Sequence, residues 1–432
     1  MSLILIENGR LTDPRGNGCL DASVLIKDGV ISRVLSAEDK PQINDGTRAS
    51  EVQRIDAKGK LVFPGLIDAH VHFRDPGFTE KEDISSGAKA AAHGGFTTVI
   101  MMGNTRPPLD TPEILMSALE KGKHTGINIF ACGNVTVGMN GRELTDFEAL
   151  KRAGAVLMSD DGLPILDASV MEKACKKAAE CGLVLSLHEE DPAFIGQAGI
   201  NSGAVAGSMG INGASREAEI SMVDRDIRIA ADTGAEITIQ HISAAESVEA
   251  IRKAKAAGIK VHAEGTPHHF SLTEEAVRQW GANARMNPPL RTEADRIAII
   301  EGLKDETIDM IATDHAPHTK EEKDRGLAKA PSGIIGLETA LSLTWKSLVI
   351  PGHLTPAEAI RRLTRAYEVY GLKGGTLLEG EPADVVIFDP EDSWTVSRES
   401  ILSKSLNTPF LGETLPGTVR AVICKGKVIY SE

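Results

Sequence analysis

The sequence predicts a (β/α)8 barrel of the TIM type, with a small β-sandwich built from both chain ends. Three observations carry this. Eight strand-like apolar runs alternate with helical patterns through the middle of the chain, both ends are rich in short alternating strands, and most of the middle runs finish on His, Asp or another polar group. A doubly wound open sheet also alternates strand and helix, but it gives no reason for so many polar strand ends.

The elements follow in order. Leu3 to Glu7 reads as a first strand, without the basic flank or cleavage site of a signal peptide. Ser23 to Lys27 and Val30 to Val34 flank Asp28-Gly29, a hairpin turn between antiparallel strands. The eight middle runs are 61–73, 96–104, 128–136, 155–161, 183–190, 236–243, 260–270 and 309–317. Helical patterns fall between most of them, at 81–93, 168–181, 217–233, 244–257 and 292–303. Short strands return near the end, at 383–389, 419–424 and 425–430. The expected organisation is a first sandwich part at 1–60, the barrel at 61–375 and a second sandwich part at 376–432, since chain termini often lie close together.

The 432 residues suffice for one large domain and a small one, and 41% apolar with 25% charged residues is ordinary for a soluble globular chain. A net charge of -14 argues against a nucleic-acid partner. No apolar run approaches the roughly 20 residues of a membrane helix, so no membrane partner is expected. The five cysteines, Cys19, Cys132, Cys175, Cys181 and Cys424, form no C-x-x-C pair and suit a reducing compartment, so the default location is cytoplasmic. A homodimer is the default assembly.

The chemistry sits at the strand ends. His70-Val71-His72 closes the first run; residues two apart on a strand share a face, so two imidazoles project together. Later runs end in Ser159-Asp160-Asp161, Ser186-Leu187-His188, Ile239-Gln240-His241 and Thr313-Asp314-His315. The C-terminal rim of a barrel is its active face, so these groups converge. Buried ionisable groups are costly unless paired or bound to metal. Histidine and carboxylate donors without cysteine suit zinc or a similar divalent ion. Six such groups exceed the four that one tetrahedral zinc takes, which points to two ions sharing a carboxylate and activating water for hydrolysis of an amide-like bond.

At these residues the chain resembles the amidohydrolase superfamily, and within it the dihydroorotases of the bacterial class I type. The resemblance is carried by His70-Val71-His72-Phe73-Arg74-Asp75-Pro76-Gly77, Lys81-Glu82-Asp83 and Gly94-Gly95-Phe96-Thr97-Thr98-Val99. It continues through Arg285-Met286-Asn287-Pro288-Pro289-Leu290-Arg291, Ala312-Thr313-Asp314-His315-Ala316-Pro317-His318, Gly333-Ile334-Ile335-Gly336-Leu337-Glu338-Thr339 and Pro409-Phe410-Leu411-Gly412. It implies reversible cyclisation of N-carbamoyl-L-aspartate to (S)-dihydroorotate, a step of pyrimidine synthesis, with Zn2+ as cofactor, two per subunit. It implies one zinc on His70, His72, Asp161 and Asp314, the other on Asp161, His188 and His241, and Asp314 as general acid and base. Arg74, Asn104, Asn287 and His318 would bind substrate. His315 is expected to support the ligands rather than join them.

Many relatives bridge their metals with a carboxylated lysine on strand four; this chain offers Asp160-Asp161 there. Adjacent residues face opposite ways, so the strand alone leaves both open, and the resemblance favours Asp161. His268-His269, in the seventh run, is read as structural. His93, His124, His262 and His353 are read as packed or solvated, and 320–329 as either a mobile lid or a plain surface loop. The rival readings are another cyclic amidase of the hydantoinase or allantoinase kind, or a non-catalytic partner of aspartate transcarbamoylase. The resemblance also admits aspartate transcarbamoylase as a partner of an active enzyme.

Overall fold

The computed structural model describes residues 2–15, 18–36 and 52–432. The Cys19 side chain and the 37–51 part of the expected first segment lie outside the described residues. Eight parallel strands pair in chain order: Leu66–Val71, Phe96–Met101, Asn128–Gly133, Ala155–Met158, Leu185–Leu187, Ile237–Ile239, Val261–Gly265 and Met310–Ile311. We call them barrel strands one to eight. The last meets the first through a parallel bridge of Val71 with His315, and the His72 amide donates to the His315 carbonyl at 2.9 Å. The ring so closed is the expected barrel.

Helices cover it for reasons visible in the chain. In Ala168–Cys181 the Asp167 carboxylate accepts from the Ser169 amide at 2.8 Å, satisfying a donor the helix itself leaves free. Its buried residues, Val170, Met171, Ala174, Cys175 and Ala178, recur at three- and four-residue spacing and face the barrel. Burying each large one is worth about 1.5–3 kcal/mol. A separate apolar cluster draws Ile67, Ala69, Ile100, Cys132, Leu157 and Met310 from strands one to four and eight, and includes Tyr367 and Tyr370. The two tyrosine hydroxyls donate to Thr98 Oγ1 at 2.7 Å and Thr238 Oγ1 at 3.1 Å, so the polar ends of these buried rings are satisfied.

The chain ends combine as expected, and their strands join as one eight-stranded sheet around a shared core that includes Ile6, Val24, Ile31, Val62, Val385 and Ile423. The hairpin at Asp28-Gly29 is present, with φ of 49° and 84°. The run 61–73, expected as one barrel strand, is two. Leu61–Pro64 pairs with Val385–Thr395 in the end sheet, and only Leu66–Val71 enters the barrel. Gly65 makes the crossing: a Cβ there would lie 2.1 Å from Thr97 Oγ1. The seventh run is also shorter than expected. It stops at Gly265, and His268-His269 lie on the short helix Pro267–Ser271, capped by Thr266 with Pro267 in the first turn. Among the described residues no helix is long and apolar enough to cross a membrane.

Candidate metal centre

Strand ends one, four, five, six and eight deliver their polar residues to one point. His70 Nε2 lies 3.4 Å from Asp161 Oδ1 and 3.6 Å from Asp314 Oδ1. His72 Nε2 lies 3.0 Å from Asp314 Oδ1 and 3.4 Å from Asp161 Oδ2. On the other side of Asp161, His188 Nδ1 is 3.5 Å and His241 Nε2 3.9 Å from Oδ1, with 2.9 Å between the two nitrogens. All six predicted groups therefore converge, and Asp161 stands between the two histidine pairs.

The donor set fits divalent metal. Zinc–ligand bonds near 2.0–2.1 Å give a tetrahedron with edges of about 3.3 Å, which is the spacing of these atoms. His70 is fully buried, and its Nε2 has no hydrogen-bond partner. A buried polar atom left so is costly unless something else occupies it. The field agrees. Burial opposes a charge on His70, but Asp161 and Glu264 outweigh it and raise its pKa well above the ordinary imidazole value. Burial likewise opposes ionisation of Asp314, but the His72 hydrogen bond and the nearby imidazoles prevail and hold it well below the ordinary carboxylate range. The pocket favours positive charge where the ligand atoms meet.

Asp160 and Asp161 are separated by their partners. The Asp160 carboxylate accepts from the Val135 amide at 2.8 Å, the Thr136 amide at 3.0 Å and the Thr136 hydroxyl, pinning the loop after strand three. Asp161 alone faces the histidines. Buried Asp68 accepts from the Thr313 amide at 3.1 Å and the His70 amide at 3.0 Å, and so ties strand one to strand eight beneath the site. Arg74, His241 and Asp314 all have positive φ (59°, 29° and 48°), conformations costing an L-residue roughly 1–2 kcal/mol each. Such strain gathers at functional sites.

The four expected substrate residues line the same cavity, of about 210 Å³, together with His72, Asp161, His188, His241 and Asp314. Arg74 reaches it from a turn, because strand one ends at Val71 and does not continue to it. Its Nε donates to the Pro317 carbonyl at 3.3 Å, and a terminal nitrogen lies 3.4 Å from His318 Nε2. His318 points Nε2 at the Ser332 carbonyl, 2.8 Å away. Burial, with Arg74 beside it, lowers the His318 pKa to about 2, so the ring is neutral and its proton is committed to Ser332. Asn104 accepts from His72 Nδ1 at 2.9 Å and donates to Asp161 Oδ2 at 3.0 Å, which orients both side chains. Asn287 donates to Glu190 at 2.7 Å and leaves its carbonyl oxygen without a partner. A wider groove of about 660 Å³, lined by Met139, Arg142, Leu163 and Leu166 among others, adjoins this cavity at Gly162.

Other expectations resolve here. His315 turns its ring away from the ligands: Nδ1 accepts from the Gly336 amide at 3.1 Å, and Nε2 faces Glu82 at 3.6 Å. His269 is bound to Thr266 and the Pro288 carbonyl, a structural role. His93 and His262 pair with Glu338 and Glu236 at 2.6 and 2.8 Å. The stretch after Asp314 holds a short helix, Lys320–Lys323, moored by buried Lys323, which donates to the Ala282 and Pro331 carbonyls at 3.0 and 2.9 Å. Two carboxylates were missed from the sequence. Glu264 Oε2 lies 3.0 Å from His70 Nδ1, and Glu190 Oε2 3.6 Å from His188 Nε2. The signal for Glu264 was a charged residue near the end of an otherwise buried strand. For Glu190 it was an acidic pair directly after His188.

The Dihydro-orotase-like family profile matches residues 59–247. The chain is 49% identical to a dihydroorotase of Clostridioides difficile (strain 630), covering 99% of this chain and 100% of the relative. It is 48% identical to a dihydroorotase of Lactococcus lactis subsp. lactis (strain IL1403), covering 99% of each. Among solved structures, the L-hydantoinase of Arthrobacter aurescens superposes with a TM-score of 0.87 at 24% identity, covering 100% of this chain and 96% of the other. That likeness shows the barrel and its β-rich companion domain.

Proposed function

The chain belongs to the dihydroorotase family, and from that premise we propose that it interconverts N-carbamoyl-L-aspartate and (S)-dihydroorotate in pyrimidine synthesis, as a zinc-dependent cyclic amidohydrolase. The observation that carries this is the cavity itself. It sets one guanidinium, Arg74, across from a ring of metal-type donors, and so matches a small substrate with a carboxylate beside a cyclic amide.

His70, His72, Asp161 and Asp314 would hold one divalent ion, and Asp161, His188 and His241 the other. The charge count supports two. Four carboxylates (Asp161, Glu190, Glu264 and Asp314) stand within or against the ligand ring, and two divalent ions offset them. When bound, such ions supply Lewis acidity toward the ring amide and acidify water. Arg74 orients dihydroorotate by its carboxylate, the planar fork matching two oxygens. Asn287, with an unpaired carbonyl oxygen, is placed to accept from a ring N–H. In hydrolysis the ring C–N bond breaks and a C–O bond forms. Asp314 takes the proton of the attacking water and returns it to the leaving nitrogen; in synthesis it carries the proton back. Asn104 keeps His72 in the Nδ1–H tautomer and Asp161 in place.

A homodimer rests on the common default for soluble enzymes, and contact with aspartate transcarbamoylase on the family resemblance. A cytoplasmic setting is supported by Cys132, Cys175, Cys181 and Cys424 standing as free thiols. The deciding assay offers the purified chain dihydroorotate, hydantoin and allantoin in parallel. Preferred hydrolysis of dihydroorotate is expected; preference for either other ring would return the chain to the hydantoinase or allantoinase reading.

A further inference from the structure

Barrel strand seven contributes none of the six ligands, yet its Glu264 reaches them. This carboxylate is fully buried. Its Oε2 lies 3.0 Å from His70 Nδ1, and its Oε1 has no partner. Among the described residues its one ion-pair partner is His70. A buried carboxylate without Lys or Arg is costly. The cost is offset if a cation stands on the far side of the imidazole. The geometry provides for one: with Nδ1–H donated to Glu264, the lone pair of His70 lies on Nε2, the buried atom that has no hydrogen-bond partner.

We propose that Glu264 is a positioning residue of the metal centre, fixing the tautomer and aim of His70 and strengthening its Nε2 as a ligand through the charge behind the ring. The inference rests on the reading of the site as a divalent-metal centre and adds to it a residue on a strand that supplies no ligand. It also has a place. The charge behind the ring acts on the ion that His70 would hold and not on the one that His188 and His241 would hold. A merely structural hydrogen bond would not single out one ion.

The test is Glu264→Gln in the full chain, with Zn2+ alone titrated against a chromophoric chelator. Loss of such a partner typically weakens metal binding about 10–100-fold. That fall is expected for the ion on His70 and not for the ion on His188 and His241. Wild-type affinity for both ions, or an equal fall for both, would overturn the proposal. If the Gln variant does not fold, Glu264→Asp decides: its retracted carboxylate should weaken the same ion, and unchanged affinity overturns the inference. Failure of wild type to take up Zn2+ would overturn the metal-centre reading itself. Uptake by wild type with an unaltered Gln variant sinks only the role of Glu264.

Discussion

Replacing Arg74 by Met removes the only Lys or Arg side chain among the described residues lining the cavity. The fold should tolerate it. Arg74 already holds φ of 59°, a cost that any unbranched L-residue shares, and its hydrogen bond to protein, from Nε to the Pro317 carbonyl, is long at 3.3 Å. The loss falls on substrate. A hydrogen bond to a charged group is worth about 1.5–3 kcal/mol, and breaking one side of a buried ion pair costs about 3–5 kcal/mol. The substrate carboxylate would be left near Asp161 and Asp314 without its counter-charge. We therefore expect about 3–4 kcal/mol, or about 150- to 700-fold in kcat/KM for dihydroorotate. Dihydrouracil, the same ring without the carboxylate, is the control, and its slow hydrolysis should change less than about threefold, since it never used the guanidinium. Arg74→Lys keeps charge without the fork and should fall between. Kinetics on both substrates settle the matter. An Arg74→Met enzyme within about fivefold of wild type on dihydroorotate, or equally impaired on both rings, would refute the assignment.

Other expectations follow from the same centre and its surroundings. Asp314→Asn should lose about 10²–10⁴-fold in kcat as a proton carrier, while metal analysis still finds ions on the remaining ligands; wild-type turnover would remove Asp314 from that role. Asp161→Ala should release metal, whereas Asp160→Ala should retain it and lose stability instead, because Asp160 holds the Val135–Thr136 backbone; equal metal contents would contradict the division. His262 tests electrostatics away from the site. Burial opposes its charge, but Asp309 and Glu236 outweigh it and raise its pKa. Stability from a raised imidazole is fully present below the unfolded value near 6.5 and is lost as pH rises through the folded value. Denaturation of His262→Gln should therefore show a deficit on the order of 1 kcal/mol at pH 6 that shrinks by pH 9; a deficit that grows with pH would be the wrong sign.

Much of the architecture was legible because the signals were periodic. Eight apolar runs and their polar ends placed the ligands on the barrel mouth before any geometry was known. The errors arose where a local signal was overridden by a longer pattern. Gly65 interrupts the run 61–73, and the close approach of Thr97 explains why the chain must change sheets there. Thr266-Pro267 is a helix start, with a capping hydroxyl followed by the one residue pre-set for a first turn, yet the apolar pattern around it read as strand. Asp160 and Asp161 were not separable in sequence, since the distinction depends on the Thr136 loop some two dozen residues earlier. Glu264 escaped because its partner His70 is distant in the chain, and only closure of the barrel brings them to 3.0 Å.

The central claim is that Asp161 joins two divalent ions into one hydrolytic centre. Strip the full chain with a chelator, return Zn2+ in steps, and follow bound metal and dihydroorotate hydrolysis in the same samples. Two ions per chain are expected, with hydrolysis absent from the stripped protein and rising as they fill. Hydrolysis persisting in metal-free protein, or saturation at one ion with full activity, would contradict the account.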